Sequence, residues 1–270
     1  MSRYPGLPID LIFVRHGESE GNVADIMHDK DMSYRARLEG KKSYDDRLTE
    51  RGRMQAMTTG KWLRKNRVVF DAFYYSDLER TKETAALLDL EGAAWVQDTD
   101  LREQDLHTVS HSGVSLETAR SDAPEHFLNM LRNNHSGGRV IAVCHATIIR
   151  SFMLRLENTP YVDFTHADAD SLDQTVHNCE IFWYSRRNPY TGEIADRPRW
   201  KTRVVSYASV VPRRSSMPWK EIPVEAKSSR DLLAEVEGNN NPLKLTESVA
   251  ELDEIIPIRA SNSAFIGAMI

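Results

Sequence analysis

The chain is short of several things that would narrow its function at once. It has two cysteines, Cys144 and Cys179, in 270 residues. Two cannot build a disulfide framework, and a reduced, cytoplasmic setting is the simplest reading. Long apolar runs are missing. The longest early one, Leu11–Val14, is far below the roughly 20 residues needed to cross a bilayer. No stretch near the start has the apolar length of a signal-peptide core, so no membrane partner is expected. A dominant charge is missing too: 35 Lys and Arg face 40 Asp and Glu, for a net charge of -5. That balance argues against a dedicated nucleic-acid binder and leaves open only a local basic patch.

What is present is ordinary globular material, 40% apolar and 28% charged. It is enough for one large domain with a tail or for two small domains. Leu11–Arg15 reads as a buried strand ending at glycine. A polar stretch rich in both charges follows, from Asp25 to Arg47. Thr49 is a candidate N-cap, with Glu50 in the first turn of a helix whose Met54, Met57, Trp62 and Leu63 recur at helical spacing to about Asn66. Ala72–Tyr75 is a strand, and Ser76-x-x-Glu79 has the form of a capping box opening the next helix. Trp95–Asp98 is a weaker strand. A helix lies between Gly113 and His135, with Pro124 near its start. Val140–Cys144 is a buried strand followed by a helix from Thr147 to Leu156. Ile181–Tyr184 and Arg203–Tyr207 read as strands joined through Pro189 and Gly192.

This alternation predicts an α/β fold, a three-layer αβα sandwich whose sheet is mostly parallel with an antiparallel edge strand or hairpin. The composition changes after about Val211, which suggests a domain over 1–210 and an extension over 211–270, partly ordered or a mobile arm. Short helices are expected there near Arg230–Glu237 and Glu247–Ile256. The extension could serve oligomerisation of identical chains or partner docking.

Ligands of open α/β sheets bind beyond the carboxyl ends of the strands. Arg15 and His16 follow the first strand and Arg80 opens the helix after the second. Arg102 and Glu103 follow the third, and His145 follows the fourth at a helix N-terminus. Arginines grip a phosphoryl group and a helix N-terminus adds N–H donors. A histidine among cations stays neutral and can attack phosphorus. A second, protonated histidine would stabilise the transferring group, and a carboxyl would protonate the leaving oxygen.

Five segments resemble, in order, the histidine phosphatase superfamily, the phosphoglycerate mutase-like fold. VRHGESEGN is similar to its signature, and LTERGRMQA, YSDLERTKETA, LREQD and VCHATIIR are similar to its later motifs. HNCEIFWY resembles the asparagine-containing entry to a late strand. The resemblance implies His16 as the phosphorylated nucleophile and Glu103 as the proton donor. It implies Arg15, Arg80 and His145 as the phosphate pocket, with Asn22 bonding the same group. It implies a phosphorylated substrate and neither a metal nor an organic cofactor.

The sequence departs from the family in three places. Ala146 stands after His145 where glycine is usual. The segment between Asn22 and Leu48 is long and carries Arg35, Arg37, Lys41, Lys42 and Arg47. At the glutamate the chain reads REQDLH where the mutase branch has RERHYG, which favours a phosphatase over a phosphomutase. A non-catalytic module that holds a phosphorylated ligand is the rival of another class.

Other features read as structural. Glu18, Asp77 and Asp105, however, are nearby carboxylates that could compete with Glu103, though Asp77 is better explained by its helix N-terminus. His107 and His111 have a zinc-compatible spacing but no evident third ligand. Asp168–Asp173 reads as a solvated acidic loop. Cys144 should point to the face opposite His145 and be buried.

Overall fold

The structure is a computed structural model, and it describes residues 6–27, 45–103, 122–157, 176–206, 217–222 and 228–230. The elements run β1 (Asp10–Arg15), α1 (Glu20–Met27), α2 (Glu50–Lys65), β2 (Ala72–Tyr75), α3 (Glu79–Leu88) and β3 (Trp95–Gln97). A short 3-10 turn at Thr99–Leu101 follows. Then come α4 (Ala123–Asn134), β4 (Arg139–Cys144), α5 (Ala146–Glu157), β5 (Ile181–Ser185), β6 (Trp200–Val204) and β7 (Lys220–Glu221). The strands form one sheet in the order β3-β2-β4-β1-β5-β6-β7. β3, β2, β4 and β1 are parallel, and β5, β6 and β7 continue the sheet antiparallel.

β1 shows why its apolar run is continuous. Leu11 and Phe13 enter one core, where Phe127, Leu128 and Leu131 of α4 meet Ile148, Ile149 and Phe152 of α5. Ile12 and Val14 enter the other, against Leu63 of α2 and Ala85 and Leu88 of α3. Strand side chains alternate between faces, so a strand covered on both sides must be apolar at every position. The three-layer arrangement follows.

α2 is amphipathic in an unexpected way. Met54 and Met57 are 59% and 45% exposed, whereas Gly52, Gln55, Ala56, Thr59, Gly60 and Leu63 are buried. Of the expected apolar residues, Leu63 lies in the packed face and Trp62 borders it, but Met54 and Met57 do not. The buried face is made of small residues because it lies against backbone: a Cβ on Gly52 would come within 2.0 Å of the Glu18 carbonyl oxygen. Thr49 caps the helix as expected, accepting from the Gly52 N–H at 3.0 Å.

Other departures have local causes. β6 begins at Trp200 rather than Arg203 because Trp200–Val204 pairs residue by residue with Ser185–Ile181. α1 was not expected: it begins at Glu20 and runs only its last residues into the stretch read as polar from Asp25. The sheet also takes in Lys220–Glu221, beyond residue 210. The chain divides into two compact units, Met1–Val224 and Glu225–Ile270. Of the second, only 228–230 fall within the described residues, so the helices expected near Arg230–Glu237 and Glu247–Ile256 lie almost wholly outside them.

Candidate active site

β1 ends at Arg15, and His16 follows with its N–H bonded to the Cys144 carbonyl at the end of β4 (3.0 Å). The ring is 1% exposed. Its Nδ1 lies 2.7 Å from the Gly17 carbonyl oxygen. A carbonyl can only accept, so the proton sits on Nδ1 and Nε2 carries the lone pair. Burial first, then the electrostatic influence of His145 and the charges of Arg15 and Arg80, hold His16 well below the ordinary histidine value, outweighing the opposing effect of Glu103. The imidazole is thus neutral, oriented and nucleophilic.

The loop after His16 is fixed from two helices. Thr84 of α3 accepts from the Gly17 N–H at 3.0 Å, and Gln55 of α2 accepts from the Glu18 N–H at 2.9 Å. Glu18 is engaged with Thr49 and Arg51, away from the cluster around His16. Asn22 sits in α1, where its Oδ1 accepts from the Ser19 N–H (3.3 Å) and from Asn178 Nδ2 (3.0 Å). Since its oxygen is occupied, Asn22 offers donors. Asn178 also donates to the His16 carbonyl at 3.1 Å, and Cys179 follows it with a left-handed φ of 54°. Arg15 donates to the Val176 carbonyl at 2.7 Å, which ties the same turn to β1.

Arg80, in the first turn of α3, is 6% exposed and donates to Glu103 Oε2 at 3.0 Å. The other carboxylate oxygen, Oε1, accepts from the Thr147 hydroxyl at 3.2 Å. Burial pushes the Glu103 carboxyl up, but the electrostatic influence of His16, the charges of Arg80 and Arg15 and the Arg80 hydrogen bond outweigh it, so the group lies below its ordinary range. Its side chain keeps 29% exposure, an opening toward solvent. His145 is fully buried, with its ring centroid 5.1 Å from that of His16. Its Nε2 is 2.9 Å from the Ser76 hydroxyl, while Nδ1 is 3.5 Å from Glu103 Oε2 and has no hydrogen-bond partner among the described residues.

Two expectations are corrected here. Ser76 does not cap α3: the N-cap is Leu78, with no side-chain cap bond, because the Ser76 hydroxyl is turned to His145. His145 is not held protonated either. Burial first, then Arg80 and Arg15, push it well below the ordinary histidine value. It can still act as a donor. If the Ser76 O–H donates to Nε2, the ring proton lies on Nδ1, the nitrogen left without a partner. A neutral His145 then presents an N–H to the crevice without bearing charge.

Arg102 is drawn away from this crevice by an ion pair with Asp77. Asp77 is thereby explained by an arginine as well as by its place before α3, and the Arg102 hydrogen bond holds its carboxyl below the ordinary range. Arg47 pairs with Glu83 of α3. Arg35, Arg37, Lys41, Lys42, Asp105, His107, His111 and Asp168–Asp173 lie outside the described residues. Cys144 is buried in the core that holds Phe152, as expected, and burial pushes both cysteine thiols up, toward inert forms.

His16, Arg80, Glu103 and His145 are therefore in one cluster, with Arg15 and Asn22 bound into the turn beside it. Ser76, Thr147, Asn178, Gln55 and Thr84 support it, and none was assigned to the site from the sequence; all five stand within the family-like segments. His16, Glu103 and His145 could offer a metal three donor atoms within 4.8 Å of one another. Arg15 and Arg80 act on the same space with positive charge, which suits an anion better than a cation.

Residues 11–133 match the family described as histidine phosphatase superfamily, branch 1. The match marks this segment, somewhat under half of the chain, as similar to that superfamily. The match ends before β4, yet the fold brings His145 to the same crevice. A 2,3-bisphosphoglycerate-dependent phosphoglycerate mutase of Bartonella bacilliformis is 31% identical over 131 residues, 47% of this chain and 56% of that protein. Another, of Methylorubrum populi, is 25% identical over 179 residues, 54% of this chain and 78% of that protein. The chain thus spans only about half, 56%, of the first of these curated relatives. Among solved structures, a phosphoserine phosphatase of Entamoeba histolytica bound to 3-phosphoglyceric acid aligns with a TM-score of 0.48 at 20% identity, covering 66% of this chain and 90% of that one. A mycobacterial glucosyl-3-phosphoglycerate phosphatase, complexed with VO3, aligns with a TM-score of 0.48 at 19% identity, covering 81% and 99%. Among the described residues, no helix is long and apolar enough to cross a membrane.

Proposed function

We propose that this chain is a member of the histidine phosphatase superfamily and a phosphomonoester hydrolase working through a phosphohistidine on His16. The observation that carries the reading is the His16 ring itself: neutral, with Nδ1 committed to Gly17 and Nε2 left as the lone-pair nitrogen beside His145, Arg80 and Glu103.

Arg15, Arg80, the Nδ1–H of His145 and the amide of Asn22 bind the phosphoryl oxygens. His16 Nε2 attacks phosphorus while the bond to the leaving oxygen breaks. Glu103 gives its proton to that oxygen. Unliganded Glu103 is ionised, so this role requires a change on binding. A phosphate dianion competes for Arg80 and adds negative charge, and both effects raise the Glu103 carboxyl toward the protonated form. Water then attacks the phosphohistidine, the N–P bond breaks, a water proton returns to Glu103, and inorganic phosphate leaves. No metal or organic cofactor has a step in this scheme.

A phosphomutase is the second reading, favoured by the names of the curated relatives. Against it stands REQDLH where the mutase branch has RERHYG. The two are separated by product analysis of the full chain on a panel of phosphorylated metabolites. Release of inorganic phosphate as the main product supports the hydrolase, and phosphate moved between hydroxyls supports the mutase. No turnover together with tight binding of a phosphorylated ligand would support a binding module. The substrate is a phosphomonoester of unassigned alcohol. Two buried free thiols fit a reducing, cytoplasmic setting.

A further inference from the structure

Thr147 stands two residues after His145, in the first turn of α5, and is 9% exposed. Its hydroxyl donates to Glu103 Oε1 at 3.2 Å while Arg80 donates to Oε2 at 3.0 Å. The two carboxylate oxygens are therefore distinguished: one faces a neutral hydroxyl, the other a cation and the His145 Nδ1 at 3.5 Å. Resting on the phosphohydrolase reading above, we propose that Thr147 is a positioning residue: it fixes which oxygen of Glu103 carries the transferable proton and keeps the carboxyl aimed when phosphate draws Arg80 away.

The argument is one of hydrogen-bond capacity. A protonated carboxyl has one O–H and one free carbonyl oxygen. Thr147 supplies a donor to Oε1, so Oε1 takes the carbonyl role and the proton belongs on Oε2. That oxygen is the one nearer His145, hence nearer the transferring group. When phosphate takes over the Arg80 guanidinium, the charged tether on Oε2 weakens and the neutral tether on Oε1 remains. During transfer the N–P bond to His16 Nε2 forms, the P–O bond breaks, and the leaving oxygen takes the proton from Oε2. In the second half the N–P bond breaks as water attacks, and the water proton returns to Oε2.

The charged and titratable groups around Glu103 come from every neighbouring element. Arg15 and His16 follow β1, Arg80 lies in α3, Cys144 ends β4, and His145 and Arg150 lie at and within α5. Substituting Thr147 changes none of them, so a shift in the acid's titration reports the hydroxyl. A hydroxyl donating to a carboxylate favours its ionised form, and its loss must raise the carboxyl.

The test uses the full chain with phenyl phosphate, a poor leaving group, and p-nitrophenyl phosphate, a good one. Thr147→Val should lower kcat on phenyl phosphate roughly tenfold, with a clearly smaller loss on p-nitrophenyl phosphate and little change in KM. The alkaline limb of kcat, which reports the liganded enzyme, should move up by about half to one pH unit. Thr147→Ser should restore both. Thr147→Ala serves as a second hydroxyl-free variant should the valine variant not fold. An unchanged ratio between the two substrates with an unchanged alkaline limb in a folded hydroxyl-free variant overturns the proposal. Absence of phosphate release by the unaltered protein overturns the hydrolase reading, and this proposal with it.

Discussion

His16 and His145 face one another across 5.1 Å, and each is pinned on one ring nitrogen, His16 by the Gly17 carbonyl and His145 by the Ser76 hydroxyl. Each histidine thus has one nitrogen committed to the protein and one left for chemistry. His16 has a lone pair to give and, where the Ser76 O–H donates, His145 has a proton to share.

Ser76 should therefore matter to catalysis despite its distance from the nucleophile in sequence. Ser76→Ala leaves the buried Nε2 of His145 unpaired and frees the ring to change tautomer. The expected loss in kcat corresponds to about 1–3 kcal/mol, or roughly five- to one-hundred-fold. Nitrogen NMR of labelled histidine checks the cause: the Nδ1–H form in the unaltered protein, a mixed population in the variant. An Nε2–H form in the unaltered protein would show that the Ser76 hydroxyl accepts instead of donating.

Two buried neutral histidines make the fold sensitive to acid. Both are held well below 6.5 when folded and regain an ordinary value when unfolded. As pH falls below 6.5, the unfolded state binds more protons than the folded one, so stability decreases. The slope is up to about 1.4 kcal/mol per pH unit for each histidine. Above about pH 7 this contribution is flat. Denaturant melts between about pH 5.5 and 7.5 check it: His16→Gln and His145→Gln should each flatten the slope below 6.5. The carboxylates held low, Asp77, Glu83 and Glu103, act in the same direction only at more acid pH. Equal slopes in the variants and the unaltered protein would contradict the burial of neutral rings.

Gly52 links the stability of α2 to the site. A methyl there would meet the Glu18 carbonyl oxygen at 2.0 Å, on the loop that leaves His16. Gly52→Ala should destabilise the fold by at least about 1–3 kcal/mol and lower kcat as well, because the displaced loop begins at the nucleophile. A denaturation midpoint measured beside kcat checks both. A fully stable, fully active variant would mean that the loop and helix can separate at no cost.

Much of the framework was legible in the sequence for physical reasons. β1, β2 and β4 are apolar on both faces because both faces are covered, and short apolar runs of that kind stand out. α1 was not legible: EGNVADIM is only 8 residues long, too short for a helical period to stand out. β6 was read three residues late because pairing with β5, more than its own hydrophobicity, decides where it begins. The exposed Met54 and Met57 misled the reading of α2, since backbone contact selects small residues on its packed face. In the site, the reactive types stood at strand ends, where His16, Arg80, Glu103 and His145 are found. Ser76 looked like a cap because its spacing to Glu79 fits one; its hydroxyl has a single role to fill, and only the fold shows that His145 takes it. The charge state of His145 was equally hidden, because it depends on burial and on arginines from other elements.

The central claim is that His16 accepts the phosphoryl group, and trapping that species tests it most directly. The full chain is mixed with a radiolabelled phosphomonoester that it turns over, quenched, and analysed for protein-bound phosphate. The account predicts a label that is stable to alkali, lost in acid, located on His16 and absent in His16→Ala. Undiminished labelling or turnover in His16→Ala would contradict it.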